Sequence, residues 1–414
     1  MNIKTLTVSN TPLHIIKTTQ FKTINIVLRF FDDLNAENVT ARHLMLMMLK
    51  ANTKHYPTRQ ALSKHLEALY DTQLRAHSMN LGKKHVNQIA LDFPNPNLIN
   101  DGLMDDIFAF LKSLLFEPLF NEKTLNEEKA FLKAYFKAEY SNKTRYAAKR
   151  YYEHLYKDHP YNINPLGIEE KIDLVTLDAV KKAYDDMLKN PTLISVSGNI
   201  DHQAIKKYLS DFNLSQKPLP KDLFIKHDFN HLSDVKETLD LTQDRLFIGL
   251  KSGIYYKDDE FFAMSIFNTL LGEGSDSLLF DVIREKHALA YYVHSAYAPF
   301  SSLVTIVSGM EKNNIEKAKT LIRQTLEHIK NNAFSDEAFH LAKQQKISAI
   351  KKSYDNIRSL SVKGLRHALF DVPYKEEASL KAIDNVTRDM VVKVAKQCEI
   401  IFTYVLGGVD HEKN

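Results

Sequence analysis

Two histidines four residues apart, His227 and His231 with Asp228 between them, have the side chains and spacing that hold zinc when a helix turns both rings to one face. They sit in a stretch without helical periodicity and without a general base at the right offset, so a solvated linker is the better reading. His43 has no neighbouring ligand, and zinc needs three or four; one histidine without partners reads as a hydrogen-bonded structural residue. Arg284 and Tyr291 are seven residues apart. A guanidinium supplies several N–H donors and a phenol one, the groups that can stabilise developing negative charge. Taken alone, the pair equally suits an Arg284–Glu285 ion pair and a Tyr291 packed beside Tyr292 in an aromatic core. Gly272-Glu273-Gly274-Ser275 reads as a flexible turn, and a phosphate loop is disfavoured because no Gly-Lys-Ser/Thr follows.

The elements that must position these groups fall into two similar series. In the first, Thr23–Phe31 is a strand rich in Ile, Val and Phe, and helical stretches run over 39–50 and 61–69. Val86–Phe93 alternates through Ile89, Leu91 and Phe93 as a half-buried strand. Leu103, Ile107, Phe110 and Leu114 recur at helical spacing, and Ile194–Gly198 closes the series as a short strand. In the second, Leu246–Leu250 is a strand, Phe261–Leu271 is helical and Leu303–Val307 is a strand. Ile315, Ala318, Ile322, Leu326 and Ile329 mark an amphipathic helix, and Phe402–Leu406 closes. Irregular alternation with adjacent hairpin partners points to α+β layers and not to a doubly wound sheet.

The two series also share residues. Ile172-Asp173-Leu174-Val175-Thr176-Leu177-Asp178-Ala179-Val180 reappears 211 residues later as Ile383-Asp384-Asn385-Val386-Thr387-Arg388-Asp389-Met390-Val391, with six of nine positions identical. Gly198-Asn199-Ile200-Asp201 answers to Gly407-Gly408-Val409-Asp410. A period near 210 is too long for a solenoid and fits a duplicated domain. Thr176 and Thr387 are expected as matched helix N-caps. The expected division is 1–214, a linker over 215–237 carrying Pro218 and Pro220, and 238–414.

Composition sets the outer limits. At 414 residues and 44% hydrophobic, the chain can bury two cores. Fifty-five basic and 51 acidic residues nearly cancel, and no basic tract is interleaved with aromatics, which argues against nucleic-acid binding. The single cysteine, Cys398, rules out an intrachain disulfide and a cysteine-cluster metal site. No apolar run approaches the roughly 18 residues of a membrane helix, and the N-terminus shows no signal core, so a soluble cytoplasmic protein is expected.

Two segments carry a family resemblance. Ala41-Arg42-His43-Leu44-Met45-Leu46-Met47-Met48-Leu49-Lys50 resembles the segment A-H-F-L-E-H-M-L-F-K of the pitrilysin/insulysin/mitochondrial-processing-peptidase family of zinc metallopeptidases. Ser277-Leu278-Leu279-Phe280-Asp281-Val282-Ile283-Arg284-Glu285-Lys286-His287-Ala288-Leu289-Ala290-Tyr291 resembles that family's S-x-L-F-x-x-[IV]-R-E-K-x-x-L-A-Y. The resemblance implies two tandem insulinase-like domains, each a mostly antiparallel sheet with helices on one side, together forming half of a clam-shell. The family's H-x-x-E-H motif places two zinc-ligating imidazoles on one helical face with the general base between them. Its positions hold Arg42, Met45 and Leu46 here: a permanent cation, a poor ligand and a non-ligand. The family's third ligand is a glutamate seven positions after another; from Glu128 that position is Tyr135, and from Glu127 it is Ala134.

The resemblance therefore implies that the chain holds no metal or catalytic residue of its own. Arg284 and Tyr291 occupy the family's R-x-x-x-x-x-x-Y positions, which contact substrate, and Gly272–Ser275 resembles a shortened form of its glycine-rich loop. The pattern is that of the metal-less subunit found in Gram-positive bacteria, sometimes called elongation factor P modification-associated, a role on which these residues are silent. The expected function is a non-catalytic subunit of a heterodimeric zinc peptidase. Its H-x-x-E-H partner would supply zinc, and peptide would be the substrate. The alternative is a peptide-binding or scaffold protein of the same fold without proteolytic role, for which a homodimer is one possible assembly.

Overall fold

A computed structural model of the chain describes residues 2–8, 11–99, 102–229, 233–370, 372 and 375–408. The first series runs β1 (Asn2–Val8), β2 (Thr11–Lys17), β3 (Thr23–Asp33), α1 (Val39–Ala51), α2 (Arg59–Ala68), β4 (Gln73–Leu81), β5 (Lys84–Pro94), α3 (Leu103–Phe116), α4 (Glu122–Ser141), α5 (Lys143–Leu155), α6 (Leu177–Leu188), β6 (Thr192–Gly198) and α7 (His202–Leu209). The second runs β7 (Val235–Leu239), β8 (Asp244–Lys251), α8 (Phe261–Asn268), β9 (Ala290–Ala298), β10 (Leu303–Met310), α9 (Ile315–Lys330), α10 (Asp336–Tyr354), α11 (Ile357–Phe370), α12 (Glu376–Asp384), α13 (Arg388–Gln397) and β11 (Glu399–Gly408).

The fold is α+β with two mixed, mostly antiparallel sheets, ordered β1-β2-β6-β3-β5-β4 and β7-β11-β8-β10-β9. Leaving aside β1, the two orders match strand for strand. In both, the second sheet position joins the first in parallel, as β2 with β6 and β7 with β11, and the remaining pairs are antiparallel. This is the duplication read from the repeat. Thr176 accepts from Ala179 N at 3.2 Å and Thr387 from Met390 N at 3.3 Å, capping α6 and α13. Ile172 and Ile383, Val175 and Val386, and Val180 and Val391 are all buried, so the repeated letters are repeated core positions.

The compact units do not follow the halves of the sequence. One comprises Met1–Ala138, Ile163–Leu223 and Ser353–Lys375; the other comprises Glu139–Asn162, Phe224–Lys352 and Glu376–Asn414. The division between Leu223 and Phe224 falls inside the expected linker, but α5 and α11 are exchanged. In the first unit, α11 packs on β2, β3 and β6. In the second, α5 packs on β8 and β11. Helices thus cover both faces of each sheet and not one face alone. The cause is visible in the strands: Phe247, Phe402 and Tyr404 form a second apolar face that needs a cover.

Several local expectations are corrected for related reasons. Val86–Phe93 is buried on both faces, because β5 is an interior strand: Ile89, Leu91 and Phe93 enter the apolar core, while Gln88 and Asp92 on the other side are bonded to Arg29 and Arg75. The stretch over 215–237 is not a solvated linker. Leu223, Ile225 and Phe229 are buried, Lys83 N donates to Leu223 O, Ile225 N donates to Phe300 O, and β7 begins at Val235. Helix Phe261–Leu271 is α-helical only to Asn268 and continues as a π-turn over Thr269–Glu273.

Tyr151 of α5 lies stacked between Phe247 and Phe402, and a Cβ added at Gly249 would come within 2.5 Å of its hydroxyl. Gly249 is therefore a contact surface for α5. Gly249→Val should destabilise the second unit by about 1–3 kcal/mol through overpacking, read as a fall in the urea midpoint. An unchanged midpoint would show that α5 does not need this close approach.

Candidate functional site

Helix α1 packs against β4, β5, α3 and α6, which accounts for its being apolar on nearly every side. Met45 and Leu46 are fully buried members of the first unit's core. Arg42, also buried, is turned to the end of β3, where Nη2 pairs with Asp32 at 2.7 Å and Nη1 donates to Asp33 O at 2.7 Å. The three motif positions are thus occupied by packing and by an ion pair. His43 points to the sheet: its Nδ1 lies 3.0 Å from Ser78 Oγ, which donates to Asn87 Oδ1. It is the hydrogen-bonded structural histidine expected.

Glu128 on α4 is buried and ion-paired with Arg59, whose guanidinium stacks over Phe131. Burial raises the Glu128 carboxyl against the opposing pull of Arg59. Ala134 and Tyr135, at the offsets counted for a third ligand, are exposed. Among the described residues, no group of three or more His, Cys, Asp or Glu side chains converges as a metal site. The donor set does not fit zinc: a guanidinium, a buried thioether and an alkyl chain stand where two imidazoles and a carboxylate would be required.

The second resembling segment has a different character. Its helix is a π-turn over Phe280–Lys286 that ends at Ala288 with φ +48° and passes directly into β9, against which it packs. Arg284 and Tyr291 therefore bracket a helix end. Arg284 is exposed, 3.8 Å from Glu285 and stacked on Phe280 at 4.8 Å. Tyr291 is 52% exposed and donates to Glu311 at 3.3 Å, so it is not aromatic core. β9 is the edge strand of its sheet, which leaves Tyr291 at a boundary. Phe280 and Glu311 were not singled out from sequence. Phe280 lies four residues before Arg284 and was open to inspection, whereas Glu311 is brought in by the β9–β10 pairing and has no local signal.

Gly272–Ser275 is not a flexible turn. Glu273 ends the first π-turn and is bonded to Thr269 at 2.7 Å and to Lys346 of α10 at 2.8 Å. Gly272 presses so closely on β9 that a Cβ would lie 2.7 Å from Ser295 Oγ. His227 is largely buried, beside Phe229 and the Tyr156 and His159 rings, so its place is a packed aromatic cluster. His231 lies outside the described residues.

These geometries can be set beside known proteins. Residues 175–346 match the family model described as the peptidase M16 inactive domain. A relative from Bacillus subtilis (strain 168), named "Probable inactive metalloprotease YmfF", is 28% identical over 407 residues, covering 96% of each chain. The chain is thus similar to the M16 inactive-domain model over part of its length and to an inactive-type relative over nearly all of it. It also resembles an "Uncharacterized zinc protease YmxG" of the same organism, 24% identical over 249 residues, or 58% of this chain and 60% of that one. Its fold matches the crystal structure of a conserved protein from Enterococcus faecalis V583, with TM-score 0.92, 24% identity and full coverage of both chains. No described helix of the chain is long and apolar enough to cross a membrane.

The buried histidines give this region a pH signature. Burial, with His85 and His77 acting second, holds His43 down to about 4, and burial holds His85 at about 4. Both are neutral in the folded chain and return toward 6.5 on unfolding. Their stabilising effect is complete above about 6.5 and declines as pH falls toward 4, because the unfolded chain then binds more protons. Urea unfolding at pH 7.5, 6 and 5 should give falling stability, with a shallower fall in His43→Gln; a flat profile would contradict the burial assigned to these rings.

Proposed function

We propose that this chain is the non-catalytic subunit of a heterodimeric zinc peptidase, supplying Arg284 and Tyr291 to a peptide that a zinc-bearing H-x-x-E-H partner cleaves. The observation that carries the reading is a contrast. The motif positions Arg42, Met45 and Leu46 are buried and engaged, while Arg284 and Tyr291 remain exposed on a π-turn and an edge strand. Residues retained only for packing have no reason to leave a guanidinium and a phenol in solvent beside each other's elements. A guanidinium offers a fork of donors and a phenol one more, suited to a peptide carbonyl as it gains negative charge. The occurrence of both an inactive-type and a zinc-type relative in Bacillus subtilis supports a division of labour between two chains.

On this reading 1–214 and 238–414 are the two peptidase-like domains, the first with the lost motif and the second with the Arg/Tyr pair. The location is the cytoplasm, and extended peptides pair with a strand edge, so backbone hydrogen bonding governs choice more than side-chain pockets. Co-expression with the H-x-x-E-H homologue and a peptide-cleavage assay tests it. Arg284→Ala should lower turnover by at least about 100-fold, the scale of removing one transition-state donor, while leaving the complex intact by gel filtration. Unchanged turnover would overturn the assigned role and favour the scaffold reading, in which the chain binds peptide without contributing to hydrolysis.

A further inference from the structure

Two similar helices cover two similar sheet faces, and apolar burial does not tell them apart. α11 buries Ile357, Leu360, Leu365, Leu369 and Phe370 over the face that holds Ile16, Val27, Phe31 and Leu193. α5 buries Ala147, Tyr151 and Leu155 over Phe247, Phe402, Tyr404 and Leu406. Apolar contact is non-directional, so either helix would gain by covering either face. Whatever distinguishes the two seats must lie in the chemistry at matched positions.

Hydrogen bonds and register supply the matching. Asn142 Oδ1 accepts from Arg145 N at 3.1 Å and Asn356 Oδ1 from Ser359 N at 3.3 Å, each asparagine standing just before its helix. The offset is 356 − 142 = 214, so Ala147 answers to Ser361, Arg150 to Gly364 and Tyr151 to Leu365. On the sheets, Gly198 and Gly407 set an offset of 209, which equates Leu193 with Phe402 and Ser197 with Leu406. Arg29 pairs with Leu193 and Gly249 with Phe402, while Ile16 pairs with Ser197 and Glu237 with Leu406. Arg29 is therefore the counterpart of Gly249, and Ile16 that of Glu237.

At both sheet positions the chemistry is inverted, and the covering helix is inverted with it. Arg29, only 1% exposed, donates to Ser361 Oγ at 3.0 Å; the matching residue of α5 is Ala147, which has no acceptor. Gly249 makes room for Tyr151, whose hydroxyl would lie 2.5 Å from a Cβ there. Glu237 accepts from Arg150 Nη2 at 2.5 Å and from the Tyr404 hydroxyl at 2.8 Å, and lies 2.9 Å from His154 Nε2. Arg150 first, then His154 and Tyr404, hold its carboxyl down to about 2, so it stays charged. Ile16 instead lies under Gly364, where a Cβ would come within 3.2 Å of its Cδ1.

We propose that these inverted positions form a pairing code that assigns each helix to one sheet and bars it from the other. Seated on the first sheet, α5 would drive Tyr151 against Arg29, take away its Ser361 oxygen, and set Arg150 over buried Ile16 with no acid. Seated on the second, α11 would leave Glu237 without a guanidinium and the space above Gly249 unfilled. A charge buried without its partner costs more than an apolar contact returns, so the charged positions decide the assignment.

Urea unfolding of full-length variants tests the code without partner or peptide. Gly364→Arg alone should lower the midpoint, and adding Ile16→Glu should recover at least half of the loss. A chain with segments 143–156 and 357–370 interchanged keeps its connections and should lose its cooperative transition. Adding Ile16→Glu, Arg29→Gly, Glu237→Ile and Gly249→Arg to that chain should restore the transition. An interchanged chain as stable as the native one would overturn the proposal, since connectivity alone would then place the helices. So would an Ile16→Glu substitution that deepens the loss caused by Gly364→Arg, or four sheet substitutions that recover no transition.

Discussion

A sheet whose two faces both exclude water needs a roof on each side, and neither half of this chain supplies both roofs for its own sheet. That constraint organises the molecule. The helices following each sheet in sequence cover the first face, through Leu44, Met48 and Leu111 in one unit and Phe267, Ile322 and Ile329 in the other. The second faces are closed by α5 and α11, equivalent helices drawn from opposite halves. Tyr151 over Gly249 and Ser361 over Arg29 are among the contacts that fix the exchange.

The residues at the positions resembling the metal motif are set by the burial of α1. A helix enclosed by two strands and two helices is held by packing, so its shape needs no metal ligands provided the residues at those positions fill the space. Met45 and Leu46 do so as core residues. Arg42 cannot, and its charge is instead carried to the end of β3 and paired with Asp32. In the second unit the corresponding pressure is absent. Arg284 and Tyr291 are exposed at an edge, where packing places no demand on residue type, and the π-turns bring both their elements against one another.

What could be read from the residues was whatever rests on local chemistry or on period. The caps at Thr176 and Thr387 require a hydroxyl and the three residues after it, and both form. The core positions of the repeat, the α+β class and the identity of the two resembling segments were legible in the same way. The roles of α5 and α11 were not, because their partners lie about a hundred or more residues away: Arg245 of β8 reaches Thr144, and Ser361 meets Arg29. The segment 215–237 looked like solvated linker since its burial comes from Phe300 and the Tyr156 cluster. β5 looked half-buried because its polar side alternates cleanly, and only the neighbouring strands show Gln88 and Asp92 to be satisfied inside. The π-turns leave no periodic trace in so short a run.

The reciprocal trade of helices also carries history. If one half once existed as a separate gene product, its single sheet would have had a bare side, and two copies lending each other a helix would have closed both. Such a product would have been an obligate pair in which folding and association were one event. Joining two such genes would convert a concentration-dependent assembly into a unimolecular one, and would relieve each copy of the need to remain identical to its twin.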